Sequence, residues 1–167
     1  MAIVMTFGVQ KIASQSPPVP AGKLVSGTVD DHPVLAISVH ETGQSPYFLA
    51  FKGREGVPEI IGDNNLLNVV VIEGELIVEP LDGVVPFALP KAEGSSNGSL
   101  LVNDKGEIGF RAMIPDEPKP FVINISLETG LAWGGSPRAL LRDFKLLLKV
   151  PGREKPFEIA RFPAQTS

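Results

Sequence analysis

Proline and glycine decide what this chain can become. Sixteen prolines and seventeen glycines make up about a fifth of its 167 residues, and they punctuate apolar runs no longer than a strand. Proline lacks a backbone donor and breaks a helix interior, whereas glycine reaches the left-handed backbone that tight turns use. Neither recurs with a period, which excludes collagen. A chain cut in this way is expected to fold as short strands joined by regular turns. The expected fold class is mainly β, an antiparallel sandwich or jelly-roll-like barrel with at most one short helix near residues 137–148.

The pass along the chain supplies those strands. Residues 1–13 read as a terminal strand, and the proline-rich linker 14–22, ending PPVPAG, forbids helix. A strand on such a tether can lie on its own sheet or be donated to a neighbour. Residues 23–29 and 34–40 form a hairpin about Asp30-Asp31-His32-Pro33. SPYFLAFKG (45–53) is a further strand, and GDNN (62–65) is a turn.

LLNVVVIEGELIVEP (66–80) carries the longest β pattern. One face holds Val70, Ile72, Gly74, Leu76 and Val78; the other holds Val69, Val71, Glu73, Glu75, Ile77 and Glu79. That alternation predicts one half-buried strand. PKAEGSSNGS (90–99) is a polar loop, and residues 99–115 form a second hairpin turning at Asn103-Asp104-Lys105-Gly106. Residues 120–128 and 155–162 complete the strands. No internal repeat or boundary divides the chain, so residues 1–167 are expected to form a single domain.

The segment SPRALLRDFKLLLKVPG (136–152) admits two readings. As a helix, Ser136 caps it, Pro137 starts it, and Leu140, Leu141, Phe144, Leu147 and Leu148 share a face opposite Arg138, Arg142, Lys145 and Lys149. As a strand, Phe144, Leu146, Leu148 and Val150 alternate with Asp143, Lys145 and Lys149, and Leu147 is the exception. The two templates are evenly matched, and a helical turn or two leading into a strand would reconcile them.

Charge is divided unevenly. The chain as a whole carries a formal charge of −4, which argues against general nucleic-acid binding. Residues 1–90 hold four basic and ten acidic side chains, residues 91–167 hold eleven and nine, and residues 138–161 alone hold seven and three. An acidic front and a basic tail suggest complementarity within one molecule or between copies. The absence of cysteine removes disulfides, thiolate metal sites and cysteine nucleophiles, and it fits a cytoplasmic setting. No apolar run reaches the ~18–20 residues of a membrane span, and MAIVMTFGVQ lacks the basic start of a signal peptide.

Few residues suggest chemistry. His32 and His40 are the two histidines. Placed at a turn and at the far end of the returning strand, they lie roughly 27 Å apart and cannot share one metal within the hairpin. Glu73, Glu75 and Glu79 share one strand face, with neighbours roughly 7 Å apart, a spacing that an acid–base pair can use. In GLAWGGSPR (130–138), Trp133 offers a stacking plane and Arg138 an anion partner. Glu73, Glu75, Trp133 and Arg138 are therefore the ligand-binding candidates. Arg138, Arg142, Lys145 and Lys149 form a candidate interaction stripe that suits an anionic surface. Nucleophile-elbow, Walker, dinucleotide-binding and zincin motifs are absent, and no catalytic residue, metal site or cofactor is assigned.

VVVIEGELIVEPLDG resembles the segment of cupins in which a Glu-Gly-Glu strand follows the first metal-binding motif. The likeness covers about fifteen residues and implies a small jelly-roll barrel. The upstream His-x-His is missing, because residues 42–72 contain no histidine. The expected function is a non-catalytic binding or assembly module that forms a homo-oligomer or joins a protein partner. The alternative is a ligand-binding or carboxylate-using enzyme on a cupin-like barrel.

Overall fold

The computed structural model describes residues 3–7, 19–40, 46–54, 56–81, 98–114, 121–134 and 138–162. Its strands are β1 (Ile3–Phe7), β2 (Leu24–Val29), β3 (His32–Val39), β4 (Tyr47–Ala50), β5 (Glu59–Gly62), β6 (Leu67–Val71) and β7 (Gly74–Pro80). They continue with β8 (Ser99–Val102), β9 (Ile108–Ile114), β10 (Phe121–Ser126), β11 (Ala139–Leu141), β12 (Phe144–Lys149) and β13 (Phe157–Phe162). Three antiparallel sheets result: a first in the order β5-β4-β3-β2-β6, a second β1-β7-β12-β13 and a third β10-β9-β8-β11. None closes into a barrel, and the mainly β fold expected from the sequence is sandwich-like. The described residues contain no helix.

The first sheet is buried on both faces. Leu24, Ile37, Val39, Leu49 and Phe51 face a large core shared with the second and third sheets, while Val25, Val29, Ala36, Phe48 and Ala50 build a separate apolar cluster on the other side. At the large core's centre the three sheets meet through aromatic rings. Phe51 beside β4 stands edge-on to Phe110 of β9 (centroids 5.6 Å apart), Phe110 meets Phe162 of β13 at 5.5 Å, and Phe162 tilts against Phe144 of β12 at 4.8 Å.

Two segments divide between sheets. Residues 66–80 are not one strand: the chain leaves the first sheet after Val71 and enters the second at Gly74. Ile72 still donates its N–H to the Leu24 carbonyl (2.9 Å) before the crossing. The crossing shifts the burial phase by one residue, so Val71 is buried on one side of it and Gly74, Leu76 and Val78 on the other. Val70, expected to share the face of Leu76, is instead 59% exposed. Gly74 permits the passage, since a Cβ there would stand 2.9 Å from Leu148 Cδ1.

Residues 138–149 likewise form two strands, and the helical reading near 137–148 is overturned. β11 pairs with β8 in the third sheet, and β12 lies between β7 and β13 in the second. Backbone groups that a helix would satisfy locally are taken by these neighbours. Phe144, Leu146 and Leu148 point into the core. Ser136 and Pro137, the expected cap, lie outside the described residues, as do the linker residues 14–18 and the loop 90–97.

Both expected hairpins are present. Asp30 and Asp31 adopt φ of 48° and 64°, the two left-handed residues of a two-residue turn whose twist matches its strands. His32 and Pro33 thus belong to β3 rather than to the turn. In the second hairpin the buried Asn103 side chain organises the bend. Its Oδ1 accepts from the N–H groups of Lys105 (3.0 Å) and Glu107 (2.9 Å), and its Nδ2 donates to Glu107 Oε2 (2.6 Å). Asn103→Ala is expected to cost about 1–3 kcal/mol, read by chemical denaturation, because it strands two N–H donors at the bend.

The linker's end is fastened. Ser38 Oγ donates to the Pro20 carbonyl and accepts from Lys23 N–H, and His40 Nε2 lies 2.8 Å from the Val19 carbonyl. Gly22 N–H bonds the Ser38 carbonyl, and His40 N–H bonds the Gly130 carbonyl, both at 2.9 Å. β1 lies along β7 of its own chain, with Ile3 opposite Val78.

Candidate functional site

The outer face of the second sheet brings together Glu75, Glu79, Lys145 and Lys149 from among the singled-out side chains. Leu76, Val78, Leu146 and Leu148 point into the core, so alternation sends Glu75, Ile77 and Glu79 of β7 and Lys145, Leu147 and Lys149 of β12 outward. Register then sets them in facing pairs: Glu75 with Lys149, Ile77 with Leu147, Glu79 with Lys145. The last pair is an ion pair, Nζ to Oε1 3.8 Å. The acidic strand of the front half and the basic strand of the tail are therefore neighbours, with an apolar row between two charged ones. Ile77 and Leu147 are half-buried.

The other candidates are dispersed. Glu73 sits exposed at the crossing between β6 and β7, so it does not share a regular strand face with Glu75. Arg138 is exposed ahead of β11, its N–H bonded to the Val102 carbonyl at 2.8 Å. Arg142 lies half-buried where the chain passes from the third sheet to the second. The stripe Arg138, Arg142, Lys145 and Lys149 is consequently not one continuous face, and its two lysines stand beside glutamates.

Trp133 packs on the outer side of the third sheet with Leu101 and Leu140. The indole covers Gly109, where a Cβ would come within 2.6 Å of its Cγ; only glycine admits the ring there. It is 8% exposed, and its Nε1 has no hydrogen-bond partner among the described residues. The ligand-binding candidates thus divide between two sheets, Glu73 and Glu75 with the second, Trp133 and Arg138 with the third.

His32 is exposed at the start of β3, and His40, beyond its other end, is occupied with the Val19 carbonyl. Among the described residues no group of three or more His, Asp or Glu side chains is placed to hold a metal ion. No helix among them is long and apolar enough to cross a membrane.

One charged cluster has no signature in the sequence. Arg54 bridges Asp30 of the hairpin turn and Glu59 of β5, donating to Glu59 through its backbone N–H (3.0 Å), Nε (3.1 Å) and Nη2 (2.6 Å). Partial burial pushes the Glu59 carboxyl up, but the hydrogen bonds and charge of Arg54 outweigh it and hold the group below its ordinary range. A depressed carboxyl stabilises the fold above its unfolded pKa, and that stabilisation is lost as pH falls through the folded value. In Arg54→Met burial acts alone, so NMR titration should find Glu59 shifted upward, and the share of the acid loss of stability that Glu59 contributes should disappear.

No protein-family model, curated protein or solved structure matches the chain.

Proposed function

We propose that the protein is a non-catalytic binding or assembly module that works through a sheet surface, as a homo-oligomer or with a protein partner. The observation that carries this reading is the outer face of the second sheet, where Glu75, Glu79, Lys145 and Lys149 flank the apolar pair Ile77 and Leu147. Mixed charge around an apolar row is the composition of a protein-recognition patch rather than of a surface for polyanions. The enzyme alternative draws less support, because its carboxylates and its Trp133–Arg138 pair belong to different sheets. An anionic-surface role for residues 138–161 is weakened by the glutamates beside Lys145 and Lys149. A cytoplasmic location is part of the proposal and rests on the cysteine-free composition.

Light scattering of the full chain across a salt series tests the reading. Association that weakens as salt rises is the expected result, since exposed ion pairs are screened. A monomer at every ionic strength contradicts the homo-oligomer.

A further inference from the structure

We propose that two copies of this chain pack the outer faces of their second sheets together about a two-fold axis parallel to the strands, between β7 and β12. This inference rests on the assembly reading and specifies its partner. The facing pairs form three levels: Glu75 and Lys149, Ile77 and Leu147, Glu79 and Lys145. Rotation about that axis lays β12 of the copy over β7, level by level. Glu75 then meets the copy's Lys149, Ile77 its Leu147 and Glu79 its Lys145, and each contact occurs twice, as an isologous interface requires.

The other in-plane axis, running across the strands along Ile77 and Leu147, gives the opposite outcome. It stacks Glu75 over Glu79 and Lys149 over Lys145, so that every charged contact joins like signs. Charge therefore selects one two-fold of the two. The selected axis also leaves the strand directions of the two sheets nearly aligned, the ordinary geometry of sheet-on-sheet packing. At the flanks, Val4 of β1, which is 53% exposed, faces the copy's Glu158, and Arg161 already neutralises that carboxylate at 3.0 Å. Four strands ~4.8 Å apart and ~18 Å long give a footprint of roughly 350 Å² per copy, in the range of weak, transient contacts. The dimer is accordingly weak.

Sedimentation velocity of the full chain over a concentration series supplies the test. The parent protein is expected to dimerise, and Glu79→Lys and Lys145→Glu should each self-associate roughly tenfold or more weakly, because each sets like charges opposite one another. An equimolar mixture of the two variants should regain association near the parent's, since the introduced lysine of one copy then meets the introduced glutamate of the other. Circular dichroism and melting curves establish that each variant is folded, and mixing cannot repair a folding defect. If the parent dimerises but the variants do so undiminished, or the mixture gains nothing over its components, this face and axis are wrong while the assembly reading stands. A parent that stays monomeric at every concentration overturns this inference together with the homo-oligomer it specifies.

Discussion

Replacing Gly130 by alanine is expected to destabilise the protein by about 3–5 kcal/mol, a fall in Tm of roughly 6–20 °C for a domain of this size. Gly130 follows β10 with φ of 66° and lies against the chain entering β2. A Cβ there would overlap the Gly22 nitrogen and the Ser38 carbonyl oxygen, which are backbone atoms that no rotamer change can move. Gly22 is itself left-handed, and a Cβ on it would sit 2.7 Å from the Thr129 carbonyl carbon. Moving the strands apart would also break the hydrogen bonds of Gly22 to Ser38 and of His40 to Gly130. Gly152→Ala is the control. Its φ is 84° with nothing within 4 Å of the added atom, so it should lose only about 1–2 kcal/mol of left-handed strain. Denaturant midpoints of the two variants separate conformation from contact, and equal losses would mean that the close approach does not exist.

The second large effect is expected at Phe110. The ring is 1% exposed and touches both Phe51 and Phe162, so it is the piece through which all three sheets share one core. Phe110→Ala should cost about 3–5 kcal/mol, the removed burial plus a cavity that three sheets cannot jointly collapse. Phe110→Leu, which retains most of the apolar volume, should lose less than half as much. A double-mutant cycle with Phe162→Leu should show coupling of about 0.5–1.5 kcal/mol, because the edge-to-face contact is lost in either single variant. Additive losses would contradict the shared aromatic centre.

Local chemistry is the legible part of this fold. Two aspartates in a row between β-rich runs, and Asn-Asp-Lys-Gly between two others, mark turns through side-chain and backbone preferences that act within four residues. What period-2 reading cannot see is a strand that changes sheets. Residues 66–80 are apolar on both faces from Val69 to Ile72 and offer no glycine or proline before Gly74, so they read as one strand, yet the chain crosses at Ile72 and Glu73 and its inner phase shifts there. Residues 138–149 fit two templates because Leu140 and Leu141 face opposite sides of one sheet while Leu147 and Leu148 face opposite sides of another. Four leucines placed so also fall at helical spacing.

The candidate surface is half legible. Acidic and basic halves stand out in the composition, but that β7 lies against β12 depends on pairing across some seventy residues. Ile77 and Leu147 carry the missing signal. Each is an apolar residue at the outward phase of its strand, and each reads along the sequence as an exception to a pattern. Arg54 gives no such sign, because its partners Asp30 and Glu59 are joined only when β4 and β5 bring the chain back beside the first hairpin.

The central claim is that the acidic strand β7 and the basic strand β12 are antiparallel neighbours in one register. The chain has no cysteine of its own, so a pair of introduced thiols reports on it directly. In Ile77→Cys with Leu147→Cys, directly opposed positions bring the Cβ atoms to roughly 5 Å, close enough for a disulfide after slight adjustment. Mild oxidation of dilute protein should link residues 77 and 147 within a monomer, identified by peptide mapping, while Glu73→Cys with Leu147→Cys, four residues out of register at an exposed position, should not link. Failure of the first pair to link, or equal linkage of both, would contradict the account.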